Sequence, residues 1–340
     1  MKRWVRCLMA EWPRVSVIMP VLNEERHLAE SVENILAQDY AGELEVVIAV
    51  GPSHDRTQEV ADALHALHPN VVVVPNPSGR TPAGLNAAIA ATTGEIVVRV
   101  DGHAMIPADY VRTGVEVLEE TGADNVGGIM AAEGISAFQQ AVAAAMTSTF
   151  GVGGAAFHVG GEAGPALTVY LGCFRKSALE RVGGYDESME RAQDWEMNLR
   201  IRQSGGVIWF TPQMQVVYRP RSTVATLARQ YHDYGRWRRE VARRYPDTVS
   251  VRYLAAPVTV VGVGVGVVLA ATGAMSGKPW LTALGLAAPG VYLLGNLAAS
   301  AQAALKQPRL PGAAAVRLPL VFATMHGAWG TGFLRGTGRR

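Results

Sequence analysis

Along residues 14–220, short apolar runs alternate with stretches whose apolar side chains recur every three or four positions. The runs at 15–19, 44–50, 71–74 and 96–100 have the length and β-branched content of buried strands. Between them, Leu28, Val32, Ile35 and Leu36 align in a helix expected over 23–38, and Val60, Ala63, Leu64 and Leu67 align in one over 55–67. A small-residue helix is expected over 81–91. The order β-α-β-α-β-α-β predicts an α/β fold with a mainly parallel sheet covered on both faces. Residues 150–165 are dense in glycine and predict a mobile loop. Beyond it, 170–175 reads as a strand, helices are expected from Lys176 and over 194–203, and 207–210 and 214–218 read as two closing strands.

The pattern changes after Arg252. Residues 253–277 and 279–305 contain no charged side chain, and each run exceeds the roughly 20 apolar residues that cross a bilayer. Spans are expected over about 253–275 and 280–304, with Lys278-Pro279 as the turn and Gly262, Gly264 and Gly266 suited to close helix packing. A buried helical hairpin in a soluble protein is the competing reading. A third stretch, 318–334, is shorter, carries His326 and precedes terminal arginines. It fits a re-entrant or interfacial segment slightly better than a third span.

Charge sharpens this division. The chain carries a net +2, yet residues 219–252 hold nine arginines against three acids. In the segment around Arg229, Tyr234, Arg236, Trp237 and Arg238, aromatic and basic residues interleave just before the first apolar run. That placement fits an amphipathic membrane-surface segment over 221–252 better than a nucleic-acid site. Cys7 and Cys173 are too few and too far apart for a disulfide framework or a zinc site, and read as incidental thiols. The N-terminus, a tail over 1–13, lacks the apolar core of a signal peptide, which predicts that residues 14–220 stay in the cytoplasm at the cell membrane.

Candidate chemistry collects where strands end, the edge at which open α/β sheets bind ligands. The fourth run ends in Asp101-Gly102-His103. If extended, that spacing projects a carboxylate and an imidazole to one side, where they could share a divalent cation. Pro20, Asn23 and Glu24 follow the first strand, where acids also suit a helix N-terminus. Ser53 and Asp55 follow the second and suit a helix cap, although Asp55 could also accept a hydrogen bond from a uracil N–H. Arg80 follows the third at a glycine turn and suits a diphosphate, or simply a solvated loop. Asp194, Trp195 and Glu196 open a helix, as a dipole-stabilising acid pair or as a general base beside a sugar-stacking platform. No glycine fingerprint for a dinucleotide and no P-loop lysine motif is present.

Taken together, VSVIMPVLNEE at 15–25, GPSHDRT at 51–57, VDGHA at 100–104 and QDWEMNLR at 193–200 resemble glycosyltransferase family 2, in particular its succinoglycan-biosynthesis subgroup. The resemblance extends to about residue 245. It implies a GT-A fold and an inverting transfer of sugar from a nucleotide-sugar donor, expected to be a UDP-sugar. It also implies Mg2+ or Mn2+ on Asp101 and His103, and Asp194 as the base. Pro20, Asn23, Glu24, Asp55, Arg80, Asn86 and Asp101 would seat the donor. Trp195, Glu196, Arg236 and Trp237 would meet the acceptor or membrane lipid. With the apolar C-terminal region, the expected acceptor is a polyprenyl-diphosphate-linked saccharide in exopolysaccharide or envelope glycan synthesis. Transfer to polyprenyl phosphate itself, or a non-catalytic membrane scaffold, are the alternatives. Two departures matter. Val50 stands where the family usually has an acid, which leaves base recognition to Asp55. Gln230 lies six residues before Arg236, so the Q-x-x-R-W motif of polymerising synthases is absent.

Overall fold

The computed structural model describes residues 11–306 and 308–338. Cys7, Arg339, Arg340 and most of the expected tail at 1–13 lie outside the described residues. The chain runs through β1 (Val15–Val21), α1 (Leu28–Leu36), β2 (Leu44–Val50), α2 (Thr57–Leu67), β3 (Val71–Pro75), α3 (Thr81–Ala91), β4 (Ile96–Arg99), α4 (Tyr110–Thr121) and β5 (Asn125–Ala132). It continues through α5 (Ala137–Met146), α6 (Thr149–Val152), α7 (Ala156–Val159), β6 (Gly164–Pro165), β7 (Tyr170–Arg175), α8 (Lys176–Val182), α9 (Gln193–Gln203) and β8 (Ile208–Tyr218). Five helices follow: α10 (Val224–Arg244), α11 (Val251–Met275), α12 (Pro279–Leu305), α13 (Gly312–Ala315) and α14 (Leu318–Arg335). These elements form two compact units. The first takes the chain to Ala131 and then Gly160–Tyr218; the second is Ala132–Val159 with Arg219 onward.

The first unit is an eight-stranded sheet in the order β3-β2-β1-β4-β7-β5-β8-β6. β1 pairs in parallel with β2 and β4, and β2 with β3, so this half is the parallel sheet the pattern predicts. β1, β2 and β4 are buried on both faces, which is why they read as unbroken apolar runs rather than alternating ones; β3, at the sheet edge, is only partly buried. The other half is antiparallel. β7 lies between β4 and β5 and runs against both. The β4-α4-β5 crossover therefore skips one position, which the later strand fills. The two closing strands expected at 207–210 and 214–218 are one strand, β8, whose inward side chains include Ile208, Phe210, Met214 and Val216. The helix expected over 23–38 begins only at Leu28, because Asn23–Glu25 are held in a loop.

At the start of β2, away from the strand ends that carry the candidate motifs, Glu45 is buried and fully engaged. It accepts from the Ser16 hydroxyl at 2.5 Å and from the Thr93 backbone N–H and hydroxyl at 2.6 and 2.9 Å. Burial raises its pKa, but the Ser16 and Thr93 bonds outweigh burial and leave it below the usual range.

In the second unit, α10 and α14 lie against each other through glycine. A Cβ on Gly235 would stand 2.0 Å from the Trp329 carbonyl oxygen, and one on Gly332 would stand 2.0 Å from that of His232. α11 and α12 meet the same way at Gly266, Gly273 and Gly285. Of the three glycines expected to serve packing in α11, only Gly266 does; Gly262 and Gly264 have no neighbouring atom within 4 Å of a Cβ position. Among the described residues, α11 and α12 are the helices long and apolar enough to cross a membrane. They leave most of their apolar surface uncovered, with Val258, Val268, Met275, Val291 and Leu294 exposed, unlike helices of a soluble core. The stretch at 318–334, expected as a re-entrant segment or third span, is a continuous helix serving as the packing partner of α10. The first half of the expected mobile loop at 150–165 is anchored. Phe150 packs edge-on to Phe322 and His326, and its carbonyl lies 2.8 Å from His326 Nε2.

Candidate active site at the ends of β1 and β4

The site is built around a residue that the sequence reading passed over. Arg99 is the last residue of β4, and its side chain is only 6 % exposed. Its Nε and Nη2 donate to Asp101 Oδ1 at 3.2 and 3.0 Å, and its Nη1 donates to Asp194 Oδ1. One guanidinium thus joins the two carboxylates that the motifs single out, 93 residues apart in sequence. Burial opposes the charge on Arg99, but Asp101 and Asp194 outweigh it and hold the group protonated. For Asp194, burial raises the carboxyl pKa, Arg99 pulls it down and the neighbouring Asp101 charge pushes it up; the result is a pKa above the usual carboxylate range. A poised carboxylate of this kind suits proton abstraction. The signal for Arg99 was visible as a lone charge inside an apolar strand, a position that charged residues rarely occupy unpaired.

The motif around Asp194 divides by helical geometry. Asp194 and Asn198 are four apart and share the α9 face toward the sheet, where Asn125 Nδ2 donates to Asn198 Oδ1 at 2.7 Å. Glu196 points the other way and is 1 % exposed. It accepts from Arg200 Nε and Nη2 at 2.6 and 2.7 Å, while Arg200 Nη1 donates to the Val182 carbonyl at the end of α8. Glu196 is therefore a structural anchor, not the acceptor contact expected from the motif, and Trp195 is likewise buried rather than offered as a stacking platform. Ala192, which precedes the helix, has φ 60°, a left-handed conformation that an alanine adopts only at a cost of about 1–2 kcal/mol.

The metal-capable pair is arranged differently from the extended spacing. β4 ends at Arg99, Val100 still donates its N–H to the Ile18 carbonyl, and the chain then turns, with the Ala104 N–H donating to the Asp101 carbonyl. Alternation of side chains consequently does not carry over to His103. Asp101 turns to Arg99, whereas His103 Nδ1 lies 2.8 Å from Glu24 Oε1 in the loop after β1. Gly102 permits this approach: a Cβ there would come within 2.7 Å of Val21 and 3.2 Å of Glu24. Both Arg99 bonds use Asp101 Oδ1, so its second oxygen is not engaged by that ion pair. Among the described residues no three His, Cys, Asp or Glu side chains cluster as a self-sufficient metal cage. A carboxylate and an imidazole suit a divalent cation that takes its remaining ligands from substrate phosphates.

The loops after β1 and β2 are stitched to each other. Asn23, at φ 58°, accepts from the His54 N–H at 2.8 Å and donates its own N–H to Ser53 Oγ at 3.1 Å. The Glu24 N–H donates to Thr57 Oγ1 at 2.7 Å and the Glu25 N–H to Asp55 Oδ2 at 3.2 Å. Asp55 also accepts from the hydroxyl and N–H of Thr57, and these bonds hold its carboxyl below the usual range. Asp55 is thus a cap and loop tie. Pro20 lies in β1 opposite Ala49. Arg80 is exposed and donates to the Glu187 carbonyl at 3.3 Å. Asn86 donates to the Tyr185 carbonyl at 2.9 Å and accepts from the Tyr185 N–H at 2.7 Å. Arg80 and Asn86 therefore tether the loop leading to α9.

In the second unit, Arg236 donates to the carbonyls of Gly336 and Thr337 at 3.0 and 3.3 Å, past the end of α14, and Trp237 is buried. Trp237 thus does not face outward as a lipid contact would, whereas Arg236 keeps 34 % of its side chain exposed while spending two of its nitrogens on these carbonyls. The packing of α10 on α14 takes up that side of the helix.

The sequence profile of glycosyl transferase family 2 matches residues 16–183. Succinoglycan biosynthesis protein ExoA of Rhizobium meliloti (strain 1021) is 32 % identical over 94 % of this chain and 93 % of its own length. A Methanococcus voltae protein, dolichyl N-acetyl-alpha-D-glucosaminyl phosphate 3-beta-D-2,3-diacetamido-2,3-dideoxy-beta-D-glucuronosyltransferase, is 28 % identical over 65 % of this chain and 71 % of its length. Among solved structures, the mannosyltransferase PcManGT from Pyrobaculum calidifontis, in complex with GDP-Man and Mn2+, superposes with a TM-score of 0.58 at 22 % identity. That match covers 96 % of this chain and 90 % of the other, and it shows a shared fold.

Proposed function

The chain belongs to glycosyl transferase family 2 and is a glycosyltransferase of polysaccharide or glycan biosynthesis; from that premise we propose that it is a membrane-associated inverting enzyme that moves a sugar from a nucleotide-sugar donor to a lipid-linked saccharide. The observation that carries the reading is the Arg99 bridge, which joins Asp101, the carboxylate suited to the donor diphosphate, to Asp194, the carboxylate suited to the acceptor proton.

In this reading Asp194 takes the proton from the acceptor hydroxyl, which attacks the anomeric carbon on the face opposite the nucleotide and inverts its configuration. The raised pKa of Asp194 makes it a stronger base than an ordinary aspartate, and Arg99 keeps it ionised and aimed. Asp101 and His103 would hold Mg2+ or Mn2+, which when bound offsets charge on the departing nucleotide. Glu24 orients the His103 ring through the nitrogen it contacts. The loops stitched by Asn23 and Asp55 shape the nucleotide pocket, and Arg80 stands exposed at its rim. The two long apolar helices support membrane association, and the Methanococcus voltae relative, named for a dolichyl-linked compound, supports a lipid-linked acceptor.

The test is a screen of UDP- and GDP-sugars against membranes containing the overexpressed protein, with lipid extracts read by mass spectrometry. A new lipid-linked glycan that depends on Asp194 is expected. Transfer to polyprenyl phosphate alone, or donor turnover without any lipid product, would overturn the acceptor assignment.

A further inference from the structure

The helical unit contains a groove of about 860 Å³ whose lining comes from α10, α11, α12 and α14. One wall of α10 supplies Val224, Ala228 and His232, spaced four apart on a single face, with Arg229 beside them. The floor is apolar, formed by residues such as Val260, Val263 and Ala323, and no acidic side chain lines it. Two glycines in the lining, Gly264 on α11 and Gly327 on α14, have no atom within 4 Å of a Cβ position. Glycine in a helix costs about 1 kcal/mol relative to alanine. At Gly235, Gly266 and Gly332, neighbouring backbone explains that cost. At Gly264 and Gly327 no neighbouring atom does, as also at Gly262, Gly290 and Gly295 outside the lining. What the two lining glycines give is width in an apolar slot with a cationic rim. Arg229 is exposed and, among the described residues, makes no hydrogen bond or ion pair.

We propose that this groove binds the lipid of the acceptor, a polyprenyl diphosphate, with the isoprenoid chain along the apolar floor and the diphosphate at Arg229 and His232. The proposal rests on the lipid-linked acceptor reading above and names the site where that lipid would sit. Three features select the occupant. Most of the lining surface is apolar, and the hydroxyls of Thr324, Thr331 and Tyr292 are already bonded within the helices, so the floor offers mainly hydrocarbon contact and suits a hydrocarbon chain. The rim carries the guanidinium of Arg229, which is in no ion pair among the described residues, beside His232, whose Nδ1 stands 4.0 Å from Asp233 Oδ1; the free guanidinium calls for an anion and can grip two phosphate oxygens at once. The neighbouring helices α11 and α12 expose apolar surface of membrane-spanning length, so the groove would be reached from within a bilayer.

The test uses the full chain in lipid nanodiscs and a polyprenyl diphosphate with a photoreactive group in its tail, without any sugar nucleotide. Crosslinked peptides are expected to fall in 259–264 and 323–331. Gly264→Leu and Gly327→Leu, placed where a Cβ meets no neighbouring atom, should cut labelling about tenfold or more, whereas Gly264→Ala should leave most of it. Arg229→Ala should weaken binding by about tenfold, the loss expected for one charge-assisted contact. Unlabelled polyprenyl diphosphate should displace the probe; an equal amount of phosphatidylglycerol or of inorganic diphosphate should not. Labelling spread evenly over α11 and α12 and unchanged by either leucine would overturn the proposal, as would equal displacement by phosphatidylglycerol. Because no donor is present, this outcome is separate from the functional reading. Lipid-linked products formed by a protein that fails the labelling test would sink the groove alone, and specific labelling in a protein that makes no such product would sink the acceptor reading alone.

Discussion

Replacing Arg99 with methionine removes the cation that joins Asp101 and Asp194 while keeping the length of an unbranched side chain. Three donated hydrogen bonds are lost, and two carboxylates then face each other without compensation. Breaking a buried ion pair from one side costs about 3–5 kcal/mol. Here Asp101 and Asp194 keep 28 % and 30 % of their side-chain surface exposed, so water screens part of the cost and the lower end, about 3 kcal/mol, applies. For a unit of this size that corresponds to a fall in apparent Tm of about 6–12 °C, measurable by differential scanning fluorimetry of the purified protein. Asp194 also loses the group that pulls its pKa down, while burial and Asp101 continue to push it up. The acid limb of the transfer rate should therefore move to higher pH, since the base must be ionised to act. Lysine at 99 keeps the charge but not the planar fork, and should rescue only part of either effect. In the Arg99→Met/Asp194→Asn double variant one unpaired carboxylate is gone, so its stability loss should be smaller than the sum of the single losses. A Tm within about 2 °C of wild type with an unmoved acid limb would refute the bridge.

Gly102→Ala should push Glu24 and Val21 away from the turn at the end of β4, an overpacking cost of about 1–3 kcal/mol, and should weaken nucleotide binding by about tenfold in a calorimetric titration with UDP and Mn2+. An unchanged titration would contradict the close approach at Gly102. Glu45 is held below its usual range, so its bonds stabilise the fold above the unfolded carboxylate pKa of about 4.3 and are lost as pH falls through its folded value. Glu45→Gln should therefore cost about 1–3 kcal/mol in denaturant unfolding at neutral pH and flatten the acid side of the stability profile; a variant with the wild-type acid slope would contradict this.

The parallel half of the sheet is legible from the chain because β1, β2 and β4 are buried on both faces and leave uninterrupted β-branched runs. The antiparallel half is not. β7 is inserted between β4 and β5 by contacts distant in sequence, and no local pattern records that position. The site shows the same split. Asp101, Glu24 and Asp194 stand in recognisable motifs, but the partnership that organises them passes through Arg99, whose role depends on which strand α9 packs against. Spacing misled where it assumed a regular geometry. Asp101 and His103 fall on one side only if the strand continues, and the chain turns instead. Trp195 and Glu196 sit within a functional motif, yet helical rotation sends both into the core. Trp237 looks like a membrane-surface residue until α14 is seen to cover it on α10, while Arg236 stays a third exposed and donates to the carbonyls past the end of α14.

Single-turnover transfer by the Asp194→Asn variant, paired with its nucleotide-sugar affinity, tests the central claim most directly. The amide keeps the size of aspartate and can still accept from Arg99, but it cannot take a proton. The account predicts a rate lower by about a hundred- to ten-thousandfold with donor affinity close to wild type. A variant that transfers sugar at the wild-type rate would contradict the assignment of Asp194 as the base.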